Sequence, residues 1–287
     1  MKYKLWSCLV VQAAVILTIF IALAAPLAAQ QTTTAQLPKG AAFTNISLVA
    51  VGDPPEPRFM IAGSRMKLQN VPEAEYPPTL LHVPKAEEKG KTDLITLGLN
   101  LPGKQVKLKG TKSLCLMEAI EAGGEATYRE WTTVKLPVMN EELAVFLYRS
   151  GPNASWRKSP QSMVLRNGPL AFPARHVRLV NLSKQVLIFR IGDAKAFCLQ
   201  PMEVKVTPAG QSEYCSYSAA YKDGENLQIV ARQQACTMHA DSRVNLVAYD
   251  SDTAAKSGRP PVTLRRFYEL PTPPKAAQGT GAPGSIP

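Results

Sequence analysis

Three features of this 287-residue chain predict an all-β fold. Short runs rich in β-branched and aromatic residues recur along it, Pro and Gly separate most of them, and no segment sustains a helical period. The spacing predicts one or two immunoglobulin-like antiparallel β-sandwiches with a disordered Pro-rich C-terminal tail.

The first element is not part of that fold. Lys2 and Lys4 precede an apolar run from Leu9 to Ala25 that ends in Pro26-Leu27-Ala28-Ala29, the pattern of a secretory signal peptide over residues 1–29. The small residues ahead of Gln30, with Leu27 and Ala29 at the positions where a signal peptidase wants compact side chains, predict cleavage before Gln30. The run approaches the ~20 apolar residues of a membrane anchor, but Gln12 and Thr18 interrupt it and Pro26 ends it. Cys8 lies ahead of the apolar core, where it cannot serve as a lipoprotein acceptor. No second apolar stretch of that length exists, so the expectation is a secreted or periplasmic chain with no stable membrane span after cleavage. Residues 30–43 read as a flexible segment.

The strand candidates then follow in order: Ser47–Val51, Phe59–Ala62, Leu94–Leu99, Trp131–Leu136, Leu143–Tyr148, Val177–Val180, Val186–Ile191, Val204–Thr207, Leu227–Ala231, Val244–Ala248 and Val262–Phe267. Between Lys104 and Lys112, Val106 and Leu108 alternate with Lys107 and Lys109, as a strand with one wet face does. Leu114 to Ala122 is the only candidate for a helical turn or two. Two hairpins read clearly. Gly192-Asp193 separates Val186–Ile191 from Ala196–Leu199, and Asp223-Gly224 separates Tyr214–Tyr221 from Leu227–Ala231, with Gly supplying a positive φ in each.

A faint repeat supports two domains. Gln105-Val106-Lys107-Leu108 leads through Gly110 to Leu114-Cys115-Leu116, and Gln185-Val186-Leu187-Ile188 leads through Gly192 to Phe197-Cys198-Leu199. The expected organisation is a first sandwich over 44–150, a connector over 151–175 rich in Gly-Pro and Ser-Pro steps, and a second sandwich over 176–270. Residues 271–287, dense in Pro, Gly, Ala and Thr, carry too little apolar surface to order themselves.

The run Ala171-Phe172-Pro173-Ala174-Arg175-His176-Val177-Arg178-Leu179-Val180-Asn181-Leu182-Ser183, with the Gly192-Asp193 hairpin and Ala220-Tyr221-Lys222-Asp223-Gly224, resembles uncharacterised secreted β-sandwich proteins of bacteria. The resemblance covers about Leu143 to Asp250. It implies a fold and no activity.

Chemistry is sparse. The formal charge is +11, or +9 once Lys2 and Lys4 are removed, but the basic residues are scattered and do not form a nucleic-acid stripe. Cys115, Cys198, Cys215 and Cys236 remain after cleavage, an even number that suggests a disulfide between two of Cys198, Cys215 and Cys236, with buried free thiols as the alternative of equal standing. A hairpin turning at Asp223-Gly224 would set Cys215 against Arg232, which disfavours the Cys215–Cys236 pair. Cys236-Thr237-Met238-His239 places a thiol and an imidazole three positions apart, the pattern of a cupredoxin copper loop, for which His176 or His82 would have to supply the second imidazole. No axial Met follows. Asp250-Ser251-Asp252 reads as a solvated turn with too few ligands for a hard cation.

No nucleophile elbow, zinc helix, phosphate loop or dinucleotide fingerprint is present in the sequence. No catalytic residue, cofactor or metal site is therefore assigned. The sequence is read as an exported, non-enzymatic binding or structural module of the cell envelope, its partner an envelope protein or a glycan. The alternatives are a carbohydrate-active or hydrolytic sandwich whose acids converge only in the fold, and a copper-binding cupredoxin-like protein.

Overall fold

A computed structural model describes residues 43–269, apart from 86–87, 89, 110, 123–124, 138–140, 152–153 and 253–259. The signal peptide, residues 30–42 and the 271–287 tail lie outside the described residues.

Alternation of side chains builds four stacked sheets. In the first, β10 (Gln161–Arg166), β9 (Glu142–Tyr148), β1 (Phe43–Val51) and β6 (Val106–Lys109) lie side by side. A second contains β5 (Thr92–Thr96), β4 (Leu80–Pro84), β7 (Ser113–Ala122) and β8 (Glu125–Lys135). The third runs β14 (Val204–Pro208), β11 (His176–Asn181), β17 (Arg243–Asp250) and β18 (Val262–Glu269). The fourth runs β13 (Phe197–Leu199), β12 (Leu187–Ile191), β15 (Tyr214–Asp223) and β16 (Asn226–Thr237). A hairpin of β2 (Arg58–Ala62) and β3 (Arg65–Gln69) forms a small sheet of its own and leads into a 3-10 turn at Glu73–Glu75.

Because successive residues of a strand face opposite ways, β1 and β9 can serve two cores. Ile46, Leu48, Leu143, Val145 and Leu147 pack inward against Leu81, Leu114, Leu116 and Trp131 of the second sheet. Their neighbours Val49, Val51, Ala144 and Phe146 pack the other way, against Val180, Val247 and Tyr249 of the third sheet. β11 and β17 divide their residues likewise, with Val177, Leu179, Val244 and Leu246 meeting Leu187, Phe189, Cys215 and Tyr221 of the fourth. This double use explains why β9 and β17 read as near-continuous apolar runs.

The all-β expectation holds, and the two halves share one strand plan. With the β2–β3 hairpin set aside, β10-β9-β1-β6 and β5-β4-β7-β8 correspond strand for strand to β18-β17-β11-β14 and β13-β12-β15-β16. In each half the first strand pairs in parallel with a late one, β1 with β9 and β11 with β17. An immunoglobulin domain pairs its first strand with its second, whereas β1 and β11 lie between their parallel partner and β6 or β14.

Three local expectations are corrected. The Gln105 and Gln185 motifs do not mark the repeat, since they fall on β6–β7 and β12–β13, and the counterparts of β6 and β12 are β14 and β4. The supposed connector over 151–175 contains β10, because its Gly-Pro and Ser-Pro steps bracket Gln161–Arg166 and leave that run free to pair with β9. Leu114–Ala122 is strand, not helix: within β7, Leu114 and Leu116 are buried while Cys115 between them is only partly so, a period of two.

Candidate functional site

The most conspicuous surface element is the β2–β3 hairpin, whose ten residues are all exposed. Gly63 takes φ +64 between the paired Ala62 and Arg65, as a two-residue loop beginning with Gly requires. The register sets Phe59 opposite Leu68 and Ile61 opposite Met66, so these four large apolar side chains share one face. Their exposures run from 60% for Phe59 to 80% for Ile61. The other face carries Arg58, Met60, Arg65 and Lys67. No acidic residue lies between Pro57 and Pro72. The base is tied down by Arg58 Nη2, 2.5 Å from Glu75 Oε1. Sequence reading found β2 but missed β3, whose mark is Gly63-Ser64 between two apolar-rich runs. Exposure of both faces cannot be read from a pattern.

A cavity of about 420 Å³ opens where β1, β4, β5, β6 and β7 meet. Lys85, Lys107, Lys109, Glu88 and Asp93 line it beside Phe43 and Cys115. Its carboxylates converge on a cation, with Lys85 Nζ 3.2 Å from Asp93 and 3.5 Å from Glu88. The Lys91 ammonium, hydrogen-bonded to Glu88, and then Lys85 hold the Glu88 carboxyl below its ordinary range. A glycosidase acid needs the opposite displacement.

The copper candidates do not assemble. Cys236 is buried, and its thiol donates to the Cys215 carbonyl at 3.2 Å. His239 is exposed beyond the end of β16, and the His176 ring lies 2.8 Å from the Ala174 carbonyl through Nδ1. His82 packs against Tyr128 in the other half, with centroids 4.7 Å apart and the rings tilted by 57°. Among the described residues no group of three His, Cys, Asp or Glu side chains is placed to hold a metal ion.

The cysteine geometry overturns one expectation. Cys215 lies directly opposite Cys236, not Arg232. The hairpin closes at Asp223 and Asn226, one residue later than expected, and two register shifts around Ala219 add two more residues to the β16 side. Gln233 absorbs part of this at φ +40 and donates its amide to Ser218 Oγ. The four cysteines among the described residues are free thiols in this structure, with Cys198 exposed on β13.

Buried polar groups join the layers. Arg178, on the face of β11 that meets Phe146, donates to Asn245 Oδ1 at 2.6 Å and to Asn167 Oδ1 at 2.8 Å, and its guanidinium lies 4.2 Å from the Phe172 ring centre. Arg243 donates to the carbonyls of Asn167 and Phe172, and Glu269 sits between both arginines. Burial pushes the Arg178 pKa down to about 10, against the opposing pull of Glu269. The Asp250-Ser251-Asp252 stretch is likewise a fastening, not a solvated turn. Ser251 is buried and donates to Asp53, which also accepts from the Tyr249 hydroxyl and the Asp252 amide, while Asp252 pairs with Arg149.

Both polar clusters are knit together by protein partners, with Arg243 Nε the one atom of these two clusters that is buried without a hydrogen bond, whereas the hairpin presents apolar groups to solvent. That contrast makes the hairpin the candidate site. No protein-family model matches the chain, and no curated protein matches it.

Proposed function

We propose that this is an exported, non-enzymatic β-sandwich protein of the cell envelope that acts by binding, and that the β2–β3 hairpin is the part that binds. The observation that carries the reading is the apolar face of Phe59, Ile61, Met66 and Leu68, four large side chains 60–80% exposed and gathered side by side on one hairpin. A two-stranded hairpin is marginal alone. Its two outer edges also carry unpaired backbone groups that another strand can complete.

The chemistry favours a protein occupant. Those edge groups would find no hydrogen bonds in hydrocarbon, and a partner strand supplies them. Arg65 and Lys67, with no acid nearby in sequence, select a partner whose strand edge is flanked by carboxylates, and they repel the same hairpin of a second copy.

The test places a photo-crosslinking residue at Ile61 of the full chain in its native cells. A single polypeptide adduct is expected, lost when Phe59→Asp and Leu68→Asp are combined, with the midpoint of unfolding unchanged. Adducts to phospholipid, to a second copy, or no adduct would overturn it. N-terminal sequencing of the fractionated protein tests export separately: Gln30 is expected, and an intact Met1 in the membrane fraction refutes it.

A further inference from the structure

Cys215 and Cys236 are the two residues that the β15–β16 register sets face to face, both at most 3% exposed. Two residues along the ladder, the Met238 amide donates to the Glu213 carbonyl at 2.7 Å. Counting back in steps of two makes Cys215 and Cys236 a hydrogen-bonded pair of the ladder, with Cα atoms about 5.5 Å apart. That separation falls inside the roughly 4.4–6.8 Å between Cα atoms that a disulfide spans, and the Cβ atoms, about 5.5 Å apart in such a pair, must close by about 1 Å as the bond forms.

The other thiols are worse placed. Cys198 is on β13, separated from β15 by β12, so at about 4.8 Å per strand it is near twice that spacing away. Cys115 belongs to the first half, on β7.

We propose that Cys215 and Cys236 are the disulfide-forming pair of this protein, bonded across β15 and β16 when a disulfide oxidant is present. The two thiols lose two protons and two electrons as the Sγ–Sγ bond forms. The oxidant's own S–S bond takes up those electrons and breaks to two thiols, through a mixed disulfide. One of the two thiols, once deprotonated, attacks the oxidant and the other then resolves the mixed disulfide. β16 is the outermost strand of its sheet, so opening one edge admits the oxidant. The bond then fastens an edge strand, the kind of element whose unpaired backbone groups can template pairing with other chains.

The test needs neither export nor the hairpin partner, so its failure is separable from theirs. The reduced full chain is refolded in a mixture of reduced and oxidised glutathione, trapped with acid, unfolded, alkylated and mapped by mass spectrometry. The expected product is one cross-linked peptide pair joining Cys215 to Cys236, with Cys115 and Cys198 singly modified. The midpoint of thermal unfolding is expected to rise on oxidation and return on reduction, a change absent from Cys215→Ser and Cys236→Ser. A bond to Cys198, separate glutathione adducts on Cys215 and Cys236, or an unmoved midpoint would overturn the assignment.

Discussion

Glu269→Gln is the sharpest probe of what holds the layers together. Glu269 Oε1 accepts from Asn245 Nδ2 at 2.7 Å and lies 3.4 Å from Arg178 Nη2, while Oε2 accepts from Asn167 Nδ2 at 2.8 Å and lies 3.6 Å from Arg243 Nη2. The substitution keeps the shape and removes the only negative charge that, among the described residues, is in contact with two guanidiniums that are at most 5% exposed. It also sets an amide donor against Asn245 or Asn167. Breaking one partner out of a buried ionic cluster costs about 3–5 kcal/mol. With a urea dependence of about 3 kcal/mol per molar, the upper end for small proteins, the midpoint should fall by about 1–1.7 M. The deficit has a pH signature. Arg178 titrates lower in the folded chain than in the unfolded one, so between about 10 and the unfolded value the folded state has shed a proton that the unfolded state keeps, and the Arg178 contribution to stability, taken by itself, rises with pH in that window. Without Glu269 the Arg178 value falls further, and the deficit relative to the parent should shrink as pH rises toward 10. A loss below about 1 kcal/mol, or a deficit that grows with pH, would show that the cluster is no buried ionic clamp.

Three further outcomes are expected. Gly103→Ala should destabilise by about 1–3 kcal/mol in urea, because a Cβ there would lie 3.0 Å from the Thr96 carbonyl oxygen and 3.2 Å from that of Leu48; a neutral result would mean β1 yields. Burial raises the phenols of Tyr249, Tyr148 and Tyr217 above their ordinary value, so the unfolded chain loses these protons first and stability should fall as pH rises above about 10. Tyr249→Phe should flatten that slope, read as urea midpoints and tyrosinate absorbance. Added Cu²⁺ should produce no intense thiolate absorption, since the Cys236 thiol points into the core while His239 stands in solvent; a band lost in His239→Ala would contradict this.

Composition and short-range pattern determine the strand content of this chain. β-Branched runs, the Val106-Lys107-Leu108-Lys109 alternation, and the positive φ of Gly192 and Gly224 depend on neighbours a few residues away, and the structure bears them out at +54 and +59. Near-continuous runs such as Leu143–Tyr148 announce burial on both faces without saying against what. Tertiary structure alone decided the stacking of four sheets, the strand plan common to both halves, and the gathering of Arg178, Arg243, Asn245, Asn167 and Glu269, which lie up to 102 residues apart. The Cys215–Cys236 pairing was hidden for a related reason: one residue at the turn and two at the bulges move every partner on β16, and nothing local announces a bulge before the sheet is assembled. Exposure is the same kind of quantity. Phe59–Ala62 has the composition of a core strand, and it is left in solvent because the assembled cores are filled by other residues.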